Sequence, residues 1–131
     1  MRYRNARSGP PTVLVVENYL DTRVLMKTLL KAKGYRVLEA EDGRRAVELA
    51  VLERPGLILM NLCLRFVDGA AATRLIRRCT ALRDVPIIGL THYTGAERLG
   101  EALAAGCNEV LLMPFDFDAL DHLLVDLLPS G

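Results

Sequence analysis

A chain of 131 residues, 51% of them hydrophobic and 25% charged, has the length and composition of one folded domain with its own core, which excludes a disordered chain. The formal net charge of +1 gives no general pull toward nucleic acid or anionic lipid, so neither is expected as a partner. No apolar run reaches the roughly 18 residues of a membrane span, the start carries no apolar signal core, and Cys63, Cys79 and Cys107 form no C-x-x-C pair, so a cytoplasmic protein is expected.

Met1–Pro11 reads as a polar, Gly/Pro-terminated arm without fixed structure. It holds Arg2, Arg4 and Arg7 and no acid, so taking those three charges from the net +1 leaves residues 12–131 at −2. Val13-Leu14-Val15-Val16 is a continuous apolar run, as in a strand buried on both faces. A helix is predicted from about Leu20 to Lys33, with Gly34 past its end, then a short strand Arg36–Glu39. Asp42 can cap a helix over Gly43–Glu53 that Pro55-Gly56 terminates. Leu57-Ile58-Leu59-Met60 is a second buried strand, and Ala72, Leu75, Ile76 and Cys79 fall on one helical face. Val85–Leu90 predicts a further strand. Thr94-x-x-Glu97 reads as a capping box opening a helix that ends near Gly106. Val110-Leu111-Leu112 is the last strand, and Asp116 can cap a final helix with a stripe of Leu120, Leu123, Leu124, Leu127 and Leu128.

Five strands alternating with five helices imply a parallel sheet covered on both faces. Right-handed crossovers place ligand chemistry at the carboxyl ends of the strands. That rule selects Glu17-Asn18, Asn61, Thr91-His92 and Met113-Pro114.

These positions sit in the blocks V-L-V-V-E-N, L-I-L-M-N-L-C-L-R-F-V-D-G, P-I-I-G-L-T and A-G-C-N-E-V-L-L-M-P-F-D. In order and spacing the blocks resemble a bacterial two-component response-regulator receiver domain over about residues 12 to 128. The resemblance implies a flavodoxin-like (CheY-like) doubly wound α/β domain over residues 12–131. Its five parallel strands would run in the order 2-1-3-4-5, with five helices on two faces. It also implies phosphoryl transfer from a histidine kinase to an aspartate after the third strand, with Mg²⁺ on an acidic pair and a hydroxyl and a lysine on the phosphoryl oxygens.

Carried over residue by residue, that pocket is degenerate. The acidic pair becomes Glu17 and Asn18, the phosphoacceptor Asn61, the hydroxyl Thr91, and the lysine Met113. Cys63 would offer a backbone carbonyl, Val110 holds the aromatic switch position, and Arg65 replaces a proline expected after the acceptor. A carboxamide oxygen is not a competent nucleophile for an acyl phosphate. Mg²⁺ needs hard, usually anionic ligands, which leaves Glu17 as a residual candidate and Mg²⁺ binding weak or absent. Without Met113's lysine counterpart no cation screens the transferring group. The changes agree with one another, because a buried lysine facing neutralised partners would be an unpaired charge.

Around the pocket, His92 can bind an anion or simply narrow the entrance, and Tyr93 lies beside it. Arg65 can reach toward Glu17 or stay in solvent. Cys63 reads as an inert small side chain, Cys79 and Cys107 as core residues. Arg44-Arg45 and Arg77-Arg78 are expected on solvated helix faces.

The resulting expectation is a pseudo-receiver, not an enzyme, that works by protein contact without being phosphorylated. In the family the partner surface comprises the fourth helix, fifth strand and fifth helix, here about Thr94–Leu128. It would meet a histidine kinase or other regulator, or a second copy. Two alternatives stay open: a phosphoacceptor using Glu17 or Asp68, and an anion- or nucleotide-binding flavodoxin-like domain. The latter has no G-x-G-x-x-G or P-loop to support it.

Overall fold

The computed structural model of the chain describes residues 11–64, 68–92 and 95–128. The strands are β1 (Thr12–Val16), β2 (Arg36–Ala40), β3 (Leu57–Asn61), β4 (Ile87–Thr91) and β5 (Glu109–Leu112). The helices between and after them are α1 (Leu20–Ala32), α2 (Gly43–Glu53), α3 (Gly69–Arg78), α4 (Ala96–Ala105) and α5 (Phe117–Leu127). All strand pairs are parallel, in the order β2-β1-β3-β4-β5 that the resemblance implies.

The apolar runs are explained by which way alternate residues face. Leu14, Val16, Ile58, Met60 and Ile87 enter one core, with Ala46 and Leu49 of α2, Ala72 and Ile76 of α3, and Ala102 of α4. Val13, Val15, Leu57, Leu59, Ile88 and Leu90 enter the other, with Met26 and Leu30 of α1 and Leu120 and Leu124 of α5. Neither face of Val13–Val16 or Leu57–Met60 meets water, so no polar residue interrupts those two runs.

Caps follow the sequence closely. Asp42 accepts from Arg45 N at 2.8 Å, Asp68 from Ala71 N at 2.7 Å, and Asp116 from Asp118 N at 3.0 Å. Gly34 adopts φ 97° just beyond α1, where a side chain would be strained.

Five expectations need correction, four of them local. β4 starts at Ile87 rather than Val85, because Val85 N turns back to Leu82 O. α3 ends at Arg78, so Cys79 is an extended cap and Leu75 is exposed; the buried face is Gly69, Ala72, Thr73 and Ile76. The N-cap of α4 is Gly95, which has no side chain to cap with, and Thr94 of the expected capping box lies outside the described residues. Pro11, placed with the arm, joins the fold through its carbonyl, which accepts from Arg36 N at 3.0 Å. The rest of the arm lies outside the described residues.

The largest departure is Arg77. Expected in solvent, it is half-buried beneath the turns at the amino end of the sheet. Its guanidinium donates to the carbonyls of Gly106 (2.8 Å), Leu82 (3.1 Å), Arg83 (3.1 Å) and Val85 (2.6 Å) and to Asn108 Oδ1 (2.9 Å). Burial lowers its pKa from the ordinary arginine value. One fork thus ties α3 to the turn before β4 and to the turn before β5. Arg77→Ala should leave several of these acceptors without a donor and cost about 2–3 kcal/mol in urea unfolding. Arg77→Lys should recover only part of that, since an ammonium cannot span the same set of carbonyls.

Candidate functional site

The site lies at the carboxyl ends of the strands, where each candidate occupies the last position of a strand or the next one. Glu17 follows β1 and continues its ladder, its N–H donating to Ala40 O at 3.0 Å. Asn61 closes β3, Thr91 closes β4, and Met113 follows β5 with its N–H on Thr91 O at 2.6 Å. The side chains of Glu17 (2% exposed), Asn61 (9%) and Thr91 (6%) are buried among the apolar strands, where an unpartnered polar atom would be costly.

The partners of Glu17 and Asn61 are each other. Asn61 Nδ2 donates to Glu17 Oε1 at 2.9 Å and to Oε2 at 3.0 Å. Tyr19 N adds a bond to Oε2 at 3.1 Å, and Cys63 N donates to Asn61 Oδ1 at 2.8 Å. The Cys63 N–H can only donate, so the Asn61 amide turns its oxygen to Cys63 and its nitrogen to Glu17. An ionised aspartate at this position would offer Glu17 no donor, leaving two carboxylates face to face.

The neighbouring backbone leaves little freedom. Asp68 caps α3, and Gly69 packs directly on the chain after β3: a Cβ there would collide with Asn61 O and come within 2.6 Å of Leu62 Cα. Asp68-Gly69 therefore has a structural role in holding α3 against the site.

Other expected residues fall as follows. Asn18 is half-buried and makes no hydrogen bond to Glu17 or Asn61 among the described residues. Cys63 is exposed and joins through its N–H, and His92 is exposed. Met113 packs against the core under α1 and α5, whereas Val110 packs against the opposite core. Arg65 and Tyr93 lie outside the described residues.

Sequence reading missed Arg23. On α1, it donates from Nη1 to Glu17 O at 2.8 Å and from Nε to Glu39 Oε1 at 3.2 Å. Lys27 Nζ meets Glu39 Oε2 at 3.0 Å, and bonding to Lys27 first, then to Arg23, lowers the Glu39 pKa. The helical spacing of Arg23 and Lys27 was a visible signal, but nothing in the sequence identified their common acceptor on β2.

For a cation the donor set is thin. Among the described residues no three His, Cys, Asp or Glu side chains come together as metal ligands. Glu17 supplies a buried carboxylate, and both its oxygens already accept from the Asn61 amide.

Residues 13–125 match the family described as the response regulator receiver domain. The chain belongs to that family. Among curated relatives, this receiver is 30% identical over 105 residues to the polar-differentiation response regulator DivK of Brucella anthropi, covering 80% of this chain and 85% of DivK. It is 32% identical over 109 residues to the sensor kinase/phosphatase CqsS of Vibrio cholerae, covering 82% of this chain but only 16% of CqsS. Against the transcriptional regulatory protein ZraR of Escherichia coli it spans 25% of the relative's length. Among solved structures, the chemotaxis protein CheY4 of Vibrio cholerae superposes with a TM-score of 0.87 at 28% identity, covering 92% of this chain and all of that one. The receiver domain of a Pseudomonas aeruginosa sensor histidine kinase, crystallised with magnesium in its active-site cleft, gives 0.86 at 34% identity, covering 93% and 100%.

The facing pair yields a direct test. Asn61→Asp places two carboxylates where one donor–acceptor pair stands, and facing carboxylates retain a proton to higher pH than either would alone. A folded-state affinity raised in this way favours folding at low pH and is lost as pH rises. In urea unfolding, Asn61→Asp should therefore be less stable than the parent by about 1–3 kcal/mol at pH 7.5, with the gap narrowing at pH 4.5.

Proposed function

We propose that this receiver domain signals by protein contact, without phosphorylation of its own and without a Mg²⁺ site of useful affinity. The observation that carries the reading is the bond from Asn61 Nδ2 to both oxygens of Glu17. It supplies no nucleophile at the acceptor position and occupies the carboxylate that a metal would need. Asp68, the other carboxylate nearby, is held as the cap of α3, and no observation favours it as a substitute.

The docking surface is α4, β5 and α5, within Thr94–Leu128. Leu99 and Leu103 of α4, Leu112 of β5 and Val125 of α5 all leave apolar area in solvent, the usual mark of a contact surface. Its partner is a histidine kinase, another regulator or a second copy of the chain. Val110, packed against the core, offers no ring to reorient, so a partner's differential affinity biases the surface instead. The domain catalyses no reaction of its own, and neither nucleic acid nor membrane is a partner. Among the described residues no helix is long and apolar enough to cross a membrane.

Incubation with acetyl phosphate and Mg²⁺, read by intact mass, should show no added phosphoryl group. Beryllofluoride with Mg²⁺ should leave the ¹⁵N spectrum unchanged around Glu17, Asn61 and Thr91. A phosphoryl adduct, or a saturable Mg²⁺-dependent shift, would return the domain to the phosphoacceptors.

A further inference from the structure

Charge is divided unevenly along the chain. Residues 95–128, which form α4, β5 and α5, hold seven acids against one arginine, Arg98, a net charge of −6 with His122 counted neutral. The whole chain is +1, so the rest of it carries +7. Two of the seven acids have duties inside the fold: Asp116 caps α5 through Asp118 N, and Asp121 meets Lys33 at 3.4 Å. Glu97 and Glu101 of α4, Glu109 of β5, and Asp118 and Asp126 of α5 are exposed, and none has an ion-pair partner among the described residues. They share their three elements with Leu99, Leu103, Leu112 and Val125, which are 43 to 67% exposed. A partner that covers this apolar area brings its own charges within a Debye length of the carboxylates, so its sign decides whether contact is favoured.

That condition sorts the possible occupants. A second copy meeting the same face across a two-fold axis would set −6 against −6, and like charges across an interface oppose association. An acidic protein surface meets the same opposition. A bare metal ion is no better served, because among the described residues no three acids, histidines or cysteines gather as ligands. The carboxylates are spread over a surface. Arginine and lysine around an apolar centre complement it, and arginine does so best: its stem covers apolar area while its guanidinium takes a carboxylate through two parallel bonds.

We infer that α4, β5 and α5 form the docking face for a different protein, one that presents arginine and lysine side chains around an apolar centre, and that this face does not pair with itself. The inference rests on the reading of these elements as the docking surface and selects among the partners named for it.

The probe is a synthetic amphipathic helix of leucine and lysine, titrated into the ¹⁵N-labelled full chain, with a leucine–glutamate helix of the same pattern as control. The lysine helix should give saturable shifts at Leu99, Leu103, Leu112 and Val125 while Glu17 and Asn61 stay, and the glutamate helix should give none. Glu101→Gln/Glu109→Gln/Asp126→Asn changes three exposed residues that cap no helix and should weaken the Kd about tenfold. Glu41→Gln/Glu48→Gln, elsewhere on the surface, should leave it unchanged. Equal shifts with both helices would overturn the cationic partner while the docking surface stands. Shifts confined to other elements would remove that surface and the inference with it, and an absence of saturable shifts would overturn the inference alone. A sedimenting mass that grows with protein concentration, with shifts on α4, β5 and α5, would overturn it by giving the face to a second copy.

Discussion

A carboxylate shut inside a protein can only accept hydrogen bonds, and the residue facing Glu17 is chosen by that constraint. Asn61 meets it with an amide nitrogen shared between both carboxylate oxygens, while its own oxygen takes the N–H of Cys63. The rest of the site follows. Tyr19 N completes the acceptance at Oε2, and Arg23 lies over the Glu17 carbonyl from α1. With one carboxylate already provided for, a buried ammonium at position 113 would have no partner. Met113 there packs against the core instead, and the hydrogen bonds of Glu17 are made without a lysine.

Much of this fold was legible because its strands are buried on both faces. A run such as Leu57–Met60 has one reading at that length, and Asp42, Asp68 and Asp116 sit where their helices need an acceptor. What escaped the sequence were contacts made between distant segments. Arg77 resembles any exposed arginine at the end of a helix until the turns before β4 and β5 bring their carbonyls to it. Arg23 likewise needed Glu39 on β2. The misplaced face of α3 has a physical cause: Gly69 packs on the backbone of Asn61 and Leu62 and rotates the helix so that Thr73 is buried and Leu75 is not.

At the pocket the sequence named Glu17 and Asn61, which the structure brings together, but not the bond between them. Spacing placed Glu17 and Asn61 at the ends of adjacent strands, yet the bond between them depends on rotamers that no pattern encodes. Expectations for Asn18 and Cys63 were weaker still. Asn18 stays outside the network, and Cys63 takes part through a backbone N–H that any residue could supply.

The fold tolerates this pocket because the stabilising residues and the chemical residues barely overlap. The core side chains of β1, β3 and β4 end one residue before Glu17, Asn61 and Thr91, so changes at those positions remove no apolar burial from either core. The side chains at the two ends of β5 face opposite layers. Val110 packs against the core under α2, α3 and α4, and Met113, just past the strand, against the core under α1 and α5. The link from this segment to the pocket is backbone, the 2.6 Å bond from Met113 N to Thr91 O. A backbone bond of that kind holds β5 in register whichever residues flank it. It therefore keeps the end of β5 beside β4 without depending on which side chains line the pocket.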